Sequence, residues 1–227
     1  MDQLFANLKI KVNDSLFLID PTSSNLGKNI VAHSINLIDK IGFEKFTFRK
    51  LGEAIESPEA SIYRYFKSKN QLLSYLVSWY WGWMEYQLVF ATANIQSPEI
   101  CLQKAIELIT AKSNKKEMVD GIEVNKLVNI IISESSKSYL TKEVDQANKE
   151  GAYLNYKQFV ARMASIVLDI NPAYKFPNML ISTIIEGAHL QFFFAEHLPR
   201  LTNKQKSPSY ISQFYTSLAL QSINNKS

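Results

Sequence analysis

The stretch Thr47–Leu72, TFRKLGEAIESPEASIYRYFKSKNQL, constrains this chain most, because it packs three helix starts into a short span. Thr47 is a good N-cap, its hydroxyl free to accept from an amide that the first turn leaves unpaired. Ser57-Pro58 predicts a second start, a capping hydroxyl followed by proline at the first helical position, where no N–H is needed. Ser68-x-x-Gln71 is a capping box just ahead of the apolar run at Leu72. Starts so close together leave room for two helices of roughly two turns each. That is the scale of a helix-turn-helix, although three small helices in any all-α protein would show the same spacing. Arg49 and Lys50 fall in the first turn of the first helix, and Lys69 at the start of the third. Cations there oppose the helix dipole at roughly 0.3–1 kcal/mol each when exposed. They make sense if phosphate docks on the helix ends, and the duplex backbone is the obvious source.

The flanking sequence supports an all-α reading. Ile30, Val31, Ser34, Ile35, Leu37, Ile38 and Ile41 recur at helical spacing over residues 26–41, and Gly42 closes that helix as a C′ glycine. Phe43, Phe46 and Phe48 supply aromatic mass for a small core. A long helix over residues 69–93 is apolar nearly all round, so it is buried on several sides and links the first bundle to a second. Further helices are expected from Ser97-Pro98 to about 112, over 121–136, from Thr141 to about 169, from Pro177 to before Pro199, and from Ser207-Pro208 to about 223. Ile130-Ile131-Ile132 also reads as strand. Residues 1–25 stand apart: β-favouring runs at 9–12 and 16–19 flank Asn13-Asp14-Ser15, which reads equally as a small β-hairpin or as a partly ordered arm. The segments expected are therefore an arm (1–25), a helix-turn-helix domain (26–70) and a helical domain (71–227).

Charge points the same way. The net charge is +4, and residues 28–69 hold eight Lys/Arg against five acids, with no acid from Ala60 to Met84. This is a modest basic footprint. The single cysteine, Cys101, excludes an internal disulfide, and no Cys/His spacing resembles a zinc site. Glu186 and His189 have carboxylate–histidine spacing, but one copy does not make a metal site, and no metal or cofactor is expected. No nucleophile elbow, phosphate loop or paired carboxylates point to an enzyme. With no leader and no spanning stretch, a cytoplasmic location off the membrane is expected.

Residues 28–72 resemble the DNA-binding domain of the tetracycline-repressor (TetR) family. The resemblance rests on Ile30, Leu37, Gly42-Phe43, Thr47, Leu51, then Ser61-Ile62-Tyr63-Arg64-Tyr65-Phe66, Lys67-Ser68-Lys69 and Leu72, and its tail SIYRYFKSKNQLL is the specific part. It implies that Thr47 and Lys69 contact phosphates and that Tyr63 and Tyr65 brace the DNA backbone. Glu59, Ala60 and Ser61 would face base edges, with Arg49, Lys50 and Arg64 adding charge, while Ile62 and Phe66 are core. One departure stands out. Where the family commonly has Gly-Val-Ser in the turn, this chain has Glu56-Ser57-Pro58, without the residue best suited to φ > 0. Glu59 would either accept from cytosine N4 or repel phosphate.

The resemblance further implies a homodimer on a pseudo-palindromic operator, released by a small-molecule effector held in the carboxy-terminal bundle. Its dense aromatics suit an apolar or aromatic effector. Trp83, Gln87, Asn129, Tyr156, Phe159, His189 and Phe193 are the candidate lining residues. A ligand-responsive regulator, acting as a repressor, is the leading reading. A helical binding protein on the same fold, acting through a protein partner instead of DNA, is the alternative.

Overall fold

The structure, a computed structural model, describes residues 9–111, 117–203, 205, 207 and 209–224. Ten α-helices and one two-stranded antiparallel sheet form among the described residues, in the all-α class expected. The chain divides into two compact units: Met1–Gly82 with Lys112–Asn155, and Trp83–Ala111 with Tyr156–Ser227. Residues 117–155 thus pack with the amino-terminal segment, a grouping that linear segmentation does not reveal.

In the first unit, helix α1 (Asn25–Ile41) starts where Ser24 Oγ accepts from the Gly27 N–H, and ends at Gly42 with φ 76°, a conformation that favours glycine. Helix α2 (Phe48–Ala54) is capped by Thr47, whose Oγ1 accepts from the Lys50 N–H at 3.2 Å. Helix α3 (Glu59–Tyr63) follows a tight turn. In that turn the Ser57 N–H donates to the Gly52 carbonyl at 2.9 Å. A Cβ on Gly52 would sit 2.6 Å from the Ser57 carbonyl oxygen, so only glycine permits this approach. The expectation that Ser57 caps α3 is overturned: Pro58 holds the N-cap position and no side chain caps the helix.

The arm forms no strand among the described residues. Asn13 Oδ1 accepts from the Ser15 N–H to open a 3₁₀ turn, Asp14–Leu16, and a second turn spans Pro21–Ser23. Ile10, Val12 and Leu16 are buried. Partners elsewhere in the unit satisfy its backbone: Leu18 N–H donates to the Tyr65 carbonyl, and Asn155 Nδ2 donates to the carbonyls of Lys11 and Ser78. Burial against helices replaces a ribbon that would be marginal alone.

Helix α4 (Lys69–Thr92) starts from the expected capping box in altered form. Ser68 Oγ accepts from the Gln71 N–H, and Gln71 Oε1 accepts from Lys67 N–H. Gln71 Nε2 also donates to the Ser15 carbonyl, tying the arm to the helix. Trp79, Tyr80, Trp81 and Trp83 are all buried, as an all-round apolar helix requires. In the second unit, helix α5 (Pro98–Ile109) is capped by Ser97 with Pro98 at its first position.

Strands β1 (Met118–Val119) and β2 (Ile122–Glu123) pair across Asp120-Gly121, both at positive φ (49° and 79°). This is the turn chemistry of a tight hairpin, and it stands where helix was expected from 121. Helix α6 (Val124–Glu134) follows, so Ile130–Ile132 are helical, and α6 packs on α1. The single helix expected over 141–169 is two, α7 (Val144–Lys149) and α8 (Leu154–Ile170). Gly151 breaks it at φ 86°, where an added Cβ would lie 2.7 Å from Asn13 Nδ2.

The second unit is completed by α9 (Pro177–His197) and α10 (Tyr210–Asn224), with α10 packed on α5 and α9. A Cβ on Gly187 would lie 2.3 Å from the Tyr215 hydroxyl, so this glycine serves the α9–α10 contact.

The turn between α2 and α3 keeps a left-handed residue without a glycine, since Glu56 sits at φ 53°. Such a conformation costs a side-chain-bearing residue about 1–2 kcal/mol, and the backbone entropy of a glycine would offset part of the relief. Glu56→Gly should therefore stabilise the protein by about 1 kcal/mol, raising the thermal midpoint by about 2–4 °C in a melting curve.

Candidate nucleic-acid interface and sensing residues

Helix α3 is too short to hold itself and owes its position to packing. Ile62 and Phe66 are fully buried beneath it, and the Tyr63 ring meets Phe48 edge-on at 5.0 Å. Helical spacing then turns Glu59, Ala60, Tyr63 and Arg64 to one side, away from Ile62. Ala60, Tyr63 and Arg64 are exposed, and Glu59 and Ser61 are half-buried. Beside them Arg49 is highly exposed and pairs with Glu53 one turn on, while Lys50 Nζ donates to the Lys45 carbonyl at 2.8 Å. Exposed Lys45 and Lys67 add to this basic surface, and sequence reasoning did not single them out.

Two expected phosphate-facing groups are placed otherwise. Tyr65 is buried, and its hydroxyl is hydrogen-bonded to Ser24 Oγ at 2.7 Å. It braces the start of α1 within the unit. Lys69 Nζ donates to the carbonyls of Phe43, Glu44 and Phe46 at 3.1, 3.2 and 3.4 Å, and lies 4.7 Å from the centre of the Phe43 ring. Its charge neutralises the carbonyl end of α1 and the turn after it. The same turn is held from the end of α6 and the 3₁₀ turn after it (Ser135–Ser138): Glu134 Oε1 accepts from the Phe43 N–H, and Lys137 pairs with Glu44 at 2.6 Å and Glu134 at 2.8 Å. These bonds hold the Lys137 ammonium pKa above its ordinary value, Glu134 contributing most. Glu44, Glu134 and Lys137 carry no motif, and no sequence signal could have paired residues 93 apart.

Six of the seven candidate effector residues fall in the second unit, and Asn129 does not. It lies on α6, where its amide donates to Asp39 Oδ1 at 3.0 Å, so it stands apart from the set. Trp83, Phe159 and His189 are buried, and Gln87, Tyr156 and Phe193 half-buried. Tyr156 donates to Glu186 Oε1 at 3.0 Å, joining α8 to α9. Phe193 packs on the His197 ring at 4.6 Å. Burial pushes the His189 pKa down to about 4, which keeps the imidazole neutral. Among the described residues no three His, Cys, Asp or Glu side chains group as metal ligands, and no helix is long and apolar enough to cross a membrane.

Comparison with known proteins identifies the domain that bears this surface. Residues 30–76 match the family described as bacterial regulatory proteins, tetR family. The chain thus carries a tetR-family domain over these residues. It is a DNA-binding transcriptional regulator. It is 22% identical over 179 residues to the probable HTH-type transcriptional regulator YttP of Bacillus subtilis (strain 168), across 73% of this chain and 84% of YttP. Its fold is similar to that of AibR in complex with isovaleryl coenzyme A and operator DNA, at TM-score 0.55 and 16% identity, covering 84% of this chain and 97% of AibR. The superantigen PfiT is similar at TM-score 0.54 and 14% identity, covering 89% of this chain and 95% of PfiT. At these identities the two solved structures speak to the fold alone.

The Lys69 ammonium is a structural clamp, and removing it leaves three carbonyls without their charged donor. Lys69→Met should lower stability by about 1.5–3 kcal/mol, read as a lower thermal midpoint without DNA. Arg64→Ala, on an exposed side chain, should leave that midpoint within experimental scatter.

His189 gives a pH dependence of definite sign. Its folded pKa of about 4 lies below the ordinary 6.5, so the unfolded chain binds the extra proton first. Stability should be level above pH 6.5 and fall as pH drops through 6.5 toward 4, by about 3 kcal/mol in all. Denaturant titrations across this window check it, and His189→Gln should flatten the curve.

Proposed function

We propose that this tetR-family regulator is a ligand-responsive repressor that binds a pseudo-palindromic operator as a homodimer and is released by a small, largely apolar effector. The observation that carries the reading is the exposed side of α3, where Ala60, Tyr63 and Arg64 stand clear of the protein next to the N-terminus of α2. A helix of this length reads too few base pairs to be selective, and two copies on two half-sites supply the missing specificity. On this reading Glu59, Ala60 and Ser61 face base edges, while Thr47, Arg49, Lys50, Tyr63 and Arg64 face the backbone.

The second unit offers a surface on which such a dimer can form. Met179 and Leu190 are exposed on α9 with Phe176 at its start, and Phe214 and Leu218 are exposed one turn apart on α10. Large exposed apolar side chains in one region mark an interaction surface. Its interior supplies aromatic walls in Trp83, Phe159 and Phe193 with the polar points Gln87, Tyr156 and His189, the composition of a small-molecule site. That AibR, a protein of similar fold, is seen with both a coenzyme A thioester and operator DNA supports a chain of this kind taking both partners.

The purified protein should retard a palindromic fragment from upstream of its own gene, with affinity falling steeply as salt rises. Arg64→Ala should weaken retardation by about 1–3 kcal/mol per head with the fold intact. Met179→Glu with Leu218→Glu should convert dimer to monomer in sedimentation and lose the palindrome. A lack of retardation by the wild-type chain on any native promoter fragment at low salt would sink the proposal and favour the reading in which a protein partner replaces DNA.

A further inference from the structure

We propose that the DNA-reading unit carries a small-molecule site of its own, a cleft between the Pro21 turn, α1, α4 and the β1–β2 hairpin, that takes an organic ammonium compound with an apolar or aromatic body. The cleft has a volume of about 510 Å³, within the range of about 300–1,000 Å³ usual for small-molecule sites. All its lining residues belong to the first unit, so it is separate from the effector residues discussed above. It does not rest on that reading.

Its chemistry follows from three side chains. Tyr75 lines the cleft and is only 3% exposed, yet its hydroxyl makes no hydrogen bond among the described residues. The ring is fixed edge-on between Phe17 at 6.2 Å and Phe66 at 5.4 Å, so the hydroxyl cannot swing away to find a partner. The hydroxyl is not among the described polar atoms sealed away without a partner, so it opens on the cleft, where a ligand donor can reach it. Trp79, a turn further along α4, offers a second aromatic surface, and Val31 and Ile122 add apolar wall. Asp120 sits at the tip of the hairpin, exposed and at φ 49°, with no hydrogen bond or ion pair among the described residues.

The sign of the ligand comes from the carboxylates. Burial raises the Tyr75 hydroxyl pKa most, and the charges of Asp20 and Asp120 raise it further. Asp120 lines the cleft and Asp20 adjoins it, its Oδ1 accepting from the Thr22 N–H and hydroxyl on the rim, against Lys28 as the single cation of the lining. An anion would be repelled. An ammonium group donates to the phenolic oxygen, pairs with Asp120, and lies against ring faces that attract cations. A ligand so placed touches the side chain that packs on Phe66, directly behind the recognition helix.

The test is isothermal titration calorimetry on the full chain with three probes of one shape: 4-phenylbutylamine, 4-phenylbutyrate and 4-phenyl-1-butanol. The amine should bind one to one, the alcohol at least tenfold more weakly and the acid not at all. Asp120→Asn should weaken the amine at least fivefold while keeping the turn, because asparagine tolerates positive φ. Tyr75→Phe should weaken it severalfold, and Ala32→Phe, which fills the cleft, should abolish binding. If Tyr75→Phe fails to fold, the exposed Asp120→Asn decides. Equal binding of the three probes, no binding of the amine at millimolar concentration, or full binding by Asp120→Asn or Ala32→Phe would overturn the site.

Discussion

Three backbone carbonyls, of Phe43, Glu44 and Phe46, converge on the Lys69 ammonium, and the position of the reading head depends on that convergence. A cation in the first turn of α4 is unfavourable for α4 taken alone. It is favourable for the pair of elements, because the carbonyl end of α1 and the turn leading to α2 lie within its reach. The Phe43 ring lies 4.7 Å from the ammonium, and Lys137 stands over the same ring at 5.9 Å. Thr47, which caps α2, comes one residue after the last of the clamped carbonyls. The direction in which α2 leaves the turn is thus set by a side chain from the helix that follows the reading head.

What α2 then hands to α3 is a turn with almost no slack. The Gly52–Ser57 approach leaves no room for a Cβ, and Glu56 takes a left-handed conformation to close it. The five residues of α3 have neither the length nor the cap to persist alone. Seating on Ile62, Phe66 and Phe48 holds α3 instead, and on the proposed reading the side chains that meet base edges then arrive already ordered.

How much of this was legible in the sequence follows from how local each device is. Thr47, Ser68, Ser97-Pro98 and Gly42 act on residues within one turn of themselves, and they stand where the sequence puts them. Ser57 misled because serine before proline fits a cap, but the helix starts one residue later, with Pro58 itself at the N-cap position. The hairpin at Asp120-Gly121 was local and legible in principle, since Asp-Gly is a strong hairpin signal. The helical periodicity that follows it obscured the two short strands. The break at Gly151 was not legible, because Asn13, more than a hundred residues away, fills the space a side chain would need. Asn129 and Lys69 are placed by partners that spacing along the chain does not disclose.

The two tyrosines at the end of the recognition segment carry the consequence furthest. Tyr63 and Tyr65 are two apart, and two residues turn a helical chain to nearly opposite sides. Resemblance treats them as a pair; packing separates them. Tyr63 stays half-exposed, its ring steadied by Phe48, whereas Tyr65 points inward and ends on the Ser24 hydroxyl that also caps α1. One residue of the motif stays exposed, and the other joins the end of this segment to the beginning of the first helix. The exposed Tyr63 and Arg64 are therefore backed by a hydrogen bond that spans 41 residues of chain.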